Sequence, residues 1–288
     1  MPAKPFLVMY GYTDPADVRY GGFWPTREQW EAGWKPVLER FNIITGRTRD
    51  AEMVKKLRAQ DKLFAYHVLN TIDEKHQTAA DFVAEWSKPF ENTLGGQLPG
   101  GFDAISVDEL HSYPDGSQES ETTIAALREL RRRYPHKRII AWSVWKVALG
   151  GSTGYYGSRY VKDKLFDRQL QAAAECCDLL ILECYQREGN PQFNLFTEMA
   201  RNVQARMPGL LSKTVFGLGI SQSKEHNYDD RDDVDFGEFL ERQFKLLRTD
   251  ATLSQTPGVA FWAFYRAKPE TVQRLCEMTQ RYFPTPKP

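Results

Sequence analysis

The chain alternates short runs of β-branched or aromatic residues with longer amphipathic segments, at intervals of roughly 35 residues. Strict alternation of this kind predicts parallel strands, because neighbouring parallel strands need a crossover connection that is usually a helix. The strands are predicted at residues 6–12, 41–45, 63–69, 104–107, 139–145, 179–185, 214–221 and 259–265. The helices are predicted near 27–39, 50–60, 78–88, 118–133, 164–176, 193–206, 236–249 and 269–282, with Thr26, Asp50, Thr78 and Asn194 as capping residues.

Eight such units in 288 residues favour a closed barrel over an open doubly wound sheet. No glycine-rich nucleotide-binding motif follows any of the strand candidates. We therefore predict an α/β fold with a single (β/α)8 TIM barrel domain over residues 1–288. The long loops follow strands one, four, five and seven, which predicts a functional face at the carboxyl ends of the strands.

The charge balance excludes several function classes. Lys plus Arg equal Asp plus Glu at 38 each, so no net field attracts nucleic acid or an anionic membrane. No apolar run reaches the roughly 18–20 residues of a membrane helix. The four cysteines form no Cys-x-x-Cys pair, which favours free buried thiols, and no cofactor is predicted. The oligomeric state is left open.

Two adjacent acids, Asp108 and Glu109, stand where the fourth strand ends. Alternate residues of a strand point to opposite sides, so Ser106 and Asp108 share one side while Val107 and Glu109 share the other. Small residues suit the narrow barrel interior, which predicts that Asp108 points into the mouth. The alternative for this pair of acids is an ordinary capping or loop-anchoring role.

A second acid, Glu183, lies within the apolar strand "LLILECY". A carboxylate in such a strand costs free energy unless it is hydrogen-bonded, paired or neutralised. One explanation is a purely structural ion pair between Glu183 and an Arg or Lys. The functional explanation is a carboxyl pair with Asp108 across the mouth, one ionised and one protonated, as glycosidic bond cleavage requires.

Aromatic residues are concentrated at predicted strand ends and in the long loops, where flat rings can stack on sugar faces. We expect Tyr10, Tyr12, Trp142, Trp145, Tyr185, Trp262 and Tyr265 to contact a carbohydrate substrate. His67, after strand three, and Asp14, after strand one, are expected to hold sugar hydroxyls. Core packing is the alternative for each ring taken alone.

The segments "FDAISVDE", "LLILECYQ" and "GVAFWAFY" resemble the barrels of glycoside hydrolases, the chitinase-like family 18 in particular. The match to that family's strand-four motif D-x-x-D-x-D-x-E is partial: Asp103 and Asp108 fit, Ser106 replaces an Asp, and Leu110 replaces the catalytic Glu. In the strand-six motif M-x-Y-D, Glu183 replaces Met and Gln186 replaces Asp. The layout is also similar to α-galactosidase-like and endo-galactosaminidase-like barrels, whose acids on strands four and six correspond to Asp108 and Glu183.

The resemblance implies a glycoside hydrolase acting on an oligo- or polysaccharide. Asp108 is then the nucleophile or stabilising carboxylate and Glu183 the general acid/base, with Glu109 as a substitute for either. A polysaccharide substrate favours export, so we expect a secreted or extracytoplasmic protein whose signal peptide has been removed.

Two other function classes remain open from the sequence. One is a metal-dependent, isomerase-like barrel with Glu109, Glu183, His67 and His111 as ligands. The other is a barrel that binds a glycan without cleaving it, which the departures from the chitinase motifs favour.

Overall fold

The computed structural model describes residues 1–72, 77–110, 113–149 and 166–284. His111 therefore lies outside the described residues. Eight parallel strands close into a barrel in which each strand pairs with the next and β1 pairs with β8. The predicted (β/α)8 fold is confirmed. The strands are β1 Phe6–Thr13, β2 Ile43–Arg47, β3 Leu63–Leu69, β4 Ala104–Asp108, β5 Arg138–Ser143, β6 Leu179–Glu183, β7 Thr214–Gly219 and β8 Gly258–Trp262.

The helices surround the barrel, and none in the described part of the chain is long and apolar enough to cross a membrane. Thr26, Asp50 and Thr78 cap their helices as predicted, whereas Asn194 is already helical and Phe193 precedes it without a side-chain cap. The helices are α1 Arg27–Arg40, α2 Ala51–Ala59, α3 Ala79–Glu91, α4 Gln118–Arg133, α5 Lys146–Leu149, α6 Asp167–Cys176, α7 Asn194–Arg206, α8 Phe236–Thr249 and α9 Pro269–Tyr282.

Two apolar layers hold the barrel together. The larger layer packs the outer faces of the strands against the helices, and the smaller one fills the barrel interior. The interior layer includes Val8, Ile43, Ala104, Ile181 and Val215, which are fully buried. Because side chains alternate along a strand, these residues identify which side of each strand faces inward.

Trp142 forms the floor of the barrel mouth. Its fully buried indole extends from β5 towards β7, where a Cβ on Gly217 would lie only 3.2 Å from the ring. The ring also meets Tyr10 edge-on, with centroids 5.2 Å apart. Glycine at position 217 therefore makes room for the indole, and the carboxyl ends of the strands open above it.

Candidate active site

Asp108 and Glu183 both lie on inward-facing sides of their strands, at the carboxyl ends. Asp108 continues the side of β4 that carries the interior residue Ala104, and Glu183 continues the side of β6 that carries Ile181. Neither acid has an Arg or Lys ion pair within 4.0 Å among the described residues. The described residues therefore contain no salt bridge to Glu183, which was the alternative explanation for this acid.

Both acids are partly buried, and desolvation raises both pKa values. Desolvation, with a smaller contribution from the nearby charge of Glu109, raises the pKa of Asp108 to about 6. Desolvation, followed by the charges of Asp108 and Glu109, raises the pKa of Glu183 to about 8. At neutral pH, Asp108 is therefore mainly ionised and Glu183 mainly protonated.

Tyr10 connects Asp108 to His67. The Tyr10 hydroxyl donates to Oδ2 of Asp108 at 3.2 Å and lies 3.3 Å from Nδ1 of His67. Since a hydroxyl has one proton, His67 must donate from Nδ1, which leaves Nε2 as an acceptor. Burial and the charge of Arg47 lower the pKa of His67 to about 4, so the imidazole is neutral and can accept a hydrogen bond from a sugar hydroxyl.

The Tyr10 hydrogen bond stabilises the ionised form of Asp108, so its removal has a measurable effect. We expect Tyr10→Phe to raise the pKa of Asp108 by roughly one unit. A ¹³C NMR titration of the Asp carboxyl groups measures this pKa, with the Asp108 resonance assigned from Asp108→Asn. Tyr12→Phe is the matched control and should leave the value unchanged, whereas an unchanged value in Tyr10→Phe would mean that the hydrogen bond does not form.

The raised pKa of Glu183 also has a consequence for stability. The pKa of Glu183 is about 8 in the folded protein and has the ordinary value of 4.5 in the unfolded chain, so the folded protein holds this proton more tightly. The proton therefore stabilises the folded state at low pH, and this stabilisation is lost as the pH rises from about 4.5 through 8. Gln resembles the protonated acid. Glu183→Gln should therefore increase the free energy of unfolding by on the order of 2–4 kcal/mol at about pH 9, and by little at about pH 4.

Urea denaturation of wild type and Glu183→Gln at the two pH values measures this difference. Glu277→Gln, at an exposed position on α9, is the control and should change stability little at either pH. The same stability difference at both pH values would contradict a protonated Glu183.

Aromatic rings form one wall of the mouth. Tyr185, after β6, stacks on Trp262 at the end of β8, with centroids 4.9 Å apart and an angle of 18°. Burial and the charges of Glu183 and Asp108 raise the pKa of Tyr185, so its hydroxyl stays protonated beside both acids. The structure therefore brings Tyr10, His67, Tyr185 and Trp262 together around the carboxyl pair. Trp142 lies beneath them with no exposed surface, so it cannot contact a substrate as the sequence predicted.

Tyr12 lies elsewhere than the sequence predicted. Its ring packs against Trp34 and Phe64 in the outer apolar layer and is 7% exposed. The reason is a bulge: the register of β1 against β2 shifts between Tyr10 and Tyr12, and Gly11 between them has a φ of +102°. The extra residue reverses the alternation, so the ring of Tyr12 points towards the helices rather than the mouth.

Asp14 and Trp145 both make contacts within the protein. The carboxylate of Asp14 accepts hydrogen bonds from the Thr48 hydroxyl and from the backbone N–H of Arg49, which joins the loops after β1 and β2. Trp145 packs against the outer apolar layer. Asp14 nevertheless lines the rim cavity together with Tyr10 and His67, with both of its carboxylate oxygens engaged by the neighbouring loop. Tyr265 is 42% exposed and lines a cavity at the rim.

Glu109 follows Asp108 in a left-handed conformation with φ of +48° and is exposed. Its charge reaches both inward-facing acids, because it contributes to the raised pKa of each. The backbone N–H of the next residue, Leu110, donates to the Trp142 carbonyl at 2.8 Å. Glu109 therefore raises the pKa values of Asp108 and Glu183 from an exposed position outside the pair.

The positions that carry the acids of the chitinase motifs serve other purposes here. Leu110, at the position of the catalytic Glu, is 2% exposed in the outer apolar layer. Gln186 is buried, and its Oε1 accepts from the Gln192 backbone at 2.7 Å. Asp103, at the other end of β4, pairs with Arg58 at 2.7 Å. Among the described residues, the acids at the inward-facing strand ends are therefore Asp108 and Glu183.

The metal alternative finds no support in the described ranges, where no three His, Cys, Asp or Glu side chains are grouped to hold an ion. His67 is bonded to Tyr10, and of the four ligands expected for that class, His111 lies outside those ranges.

No protein-family model and no curated protein sequence matches this chain. Solved structures do match over almost its whole length. Domain 2 of a thermostable chitinase from Pyrococcus furiosus is 9% identical with a TM-score of 0.61, covering 98% of this chain and 97% of that one. The spore cortex-lytic enzyme SleL of Bacillus cereus is 12% identical with a TM-score of 0.56, covering 95% and 74%.

A barrel with different chemistry also matches. The homocysteine methyltransferase MmuM of Escherichia coli is 13% identical with a TM-score of 0.51, covering 96% of each chain. At these identities the likeness establishes the fold, and one fold hosts many activities. The resemblance to a glycoside hydrolase-type TIM barrel is confirmed at that level.

Proposed function

We propose that this protein is a glycoside hydrolase in which Asp108 and Glu183 form the catalytic carboxyl pair. The observation that carries the proposal is the placement of two acids without an Arg or Lys partner on the inward sides of β4 and β6, at their carboxyl ends, where burial raises both pKa values, that of Glu183 more than that of Asp108. Glycoside hydrolysis needs one protonated and one ionised carboxyl group. An environment that makes the pKa values of two acids different provides this combination.

The roles follow from the protonation states. Protonated Glu183 donates to the glycosidic oxygen as the bond breaks, and ionised Asp108 stabilises the positive charge that develops on the sugar, as nucleophile or as base for water. The ring of Tyr185, stacked on Trp262, offers an aromatic surface to a sugar face, and Nε2 of His67 accepts a hydrogen bond from a sugar hydroxyl. Chitinases among the structural neighbours support a carbohydrate substrate.

The experiment is a hydrolysis screen. Wild type, Glu277→Gln and the double variant Asp108→Asn/Glu183→Gln are incubated with chito-oligosaccharides, neutral plant and microbial polysaccharides, polyuronates and aryl glycosides, and released reducing ends or chromophores are measured. We expect turnover by wild type and Glu277→Gln and none by the double variant. Binding of a glycan without turnover by wild type would instead support the non-catalytic barrel, and NMR of the first product would identify retention or inversion.

A further inference from the structure

Arg47 is the last residue of β2 and stands at the rim of the mouth. It shares the inward side of the strand with Ile43, which belongs to the interior layer, and its side chain is exposed. Its positive charge lowers the pKa of His67 and opposes the rise in the pKa of Asp108. The guanidinium therefore lies within electrostatic reach of one member of the carboxyl pair.

Arg47 has no partner inside the described ranges: no carboxylate lies within 4.0 Å of its guanidinium, and no hydrogen bond engages it. Two other cations of the same rim are paired. Arg49 lies 3.9 Å from Asp17, and Lys88 lies 2.5 Å from Glu85. A guanidinium beside the carboxyl pair that has no partner among the described residues is available to a ligand.

The groove around Arg47 is large enough for several sugar units. A cavity of about 600 Å³ over β1 and β2 and a cavity of about 430 Å³ beside β3 and α3 share Arg47, Tyr66 and His67. A third cavity, of about 480 Å³, adjoins the first at Gly11 and Tyr265. Arg47 thus stands where two of these cavities meet, and we call the three cavities together the β1–β3 groove.

We propose that the β1–β3 groove binds an acidic glycan and that Arg47 pairs with an oxyanion on its sugar, either a uronic acid carboxylate or a sulfate ester. The proposal rests on the proposed function, because it names the substrate class of that site, which the groove adjoins through Tyr10 and His67. The guanidinium presents parallel N–H donors that match a carboxylate or sulfate in a bidentate pair. Asp108 and Glu109 repel a second anion, so the charged substituent is held on the Arg47 side of the mouth.

Binding tests this independently of turnover. Calorimetry in a Glu183→Gln background compares oligogalacturonate, hyaluronan oligosaccharides and chondroitin sulfate with their carboxyl-reduced or desulfated counterparts. We expect at least one acidic probe to bind about 10-fold or more tighter than its neutral counterpart, and Arg47→Gln to weaken it by about 10- to 100-fold. The probe that shows this dependence identifies carboxylate or sulfate as the partner.

Two variants separate the pairing from general charge. Arg47→Lys keeps the charge without the planar fork and should recover only part of the affinity. Arg49→Gln, on the same groove, removes a paired and 83% exposed cation and should change affinity by less than about twofold. Equal losses in Arg47→Gln and Arg49→Gln would overturn the proposal.

The proposal and the proposed function fail in different ways. Hydrolysis of neutral chito-oligosaccharides, with no preference for acidic probes and no effect of Arg47→Gln, overturns the acidic glycan and leaves the hydrolase. Arg47-dependent binding of an acidic probe that wild type never cleaves supports the acidic glycan and overturns the hydrolase.

Discussion

Replacing Asp108 by Asn is expected to reduce kcat by at least ~1,000-fold on the true substrate while leaving the fold intact. Asn has nearly the same shape as Asp and can still accept from the Tyr10 hydroxyl, but it supplies no negative charge to an oxocarbenium-like transition state. Because the fold holds the Asp108 carboxylate at a cost, its neutral replacement should not destabilise the protein. Initial rates and circular dichroism measure the two expectations.

The neighbouring acid provides the control. Glu109→Gln removes the same charge one residue further along the chain, from an exposed position. We expect the kcat of Glu109→Gln to stay within about tenfold of wild type. The pKa values of Asp108 and Glu183 should fall in this variant, because the charge of Glu109 that raises them is gone. A larger loss in Glu109→Gln than in Asp108→Asn would assign the catalytic role to Glu109.

Replacing Glu183 by Gln should reduce turnover of natural glycosides by on the order of 100- to 10,000-fold, the range for loss of a general acid. The reason is that a sugar alkoxide leaves poorly without a proton. Aryl glycosides with good leaving groups need less protonation. The rate of bond cleavage for these substrates should therefore fall less in Glu183→Gln than the rate for natural glycosides. The ratio of the two losses, measured from initial rates, tests proton donation rather than general damage to the site.

The pH dependence gives this variant a second readout. Gln cannot ionise, so the decline of activity above about pH 8 in wild type should be absent in Glu183→Gln. A variant that loses activity equally on both kinds of glycoside and keeps the alkaline decline would show that Glu183 is not the acid.

The fold was predictable because its signals are local and repeated. Each strand run is short and apolar, and each helix has its own amphipathic pattern, so α4, α8 and α9 have the predicted bounds. Strand alternation predicted that Asp108 points inward and left the direction of Glu183 open, and both acids continue the interior side of their strands. Strand ends were less certain, since β5 to β8 all end two or three residues earlier than their apolar runs.

The site was less predictable where backbone irregularity changes the alternation. The bulge at Gly11 turns Tyr12 away from the mouth, and the sequence "MYGYTD" contains a glycine but no measure of the register shift. Asp14 is held by Thr48 and Arg49, contacts between two loops that no local pattern encodes. Arg47 was missed because β2 was predicted to end at residue 45. Two more residues of the same alternation would have placed it at the mouth.

The most direct test of the carboxyl pair is the pH dependence of kcat/KM for wild type on the best substrate of the screen. We expect a bell-shaped profile with half-maximal points near pH 6, where Asp108 ionises, and near pH 8, where Glu183 loses its proton. Tyr10→Phe should move the acidic limb to higher pH, and Glu183→Gln should remove the alkaline limb. A wild-type profile that stays flat from about pH 5 to about pH 9 would contradict the assignment of these two residues.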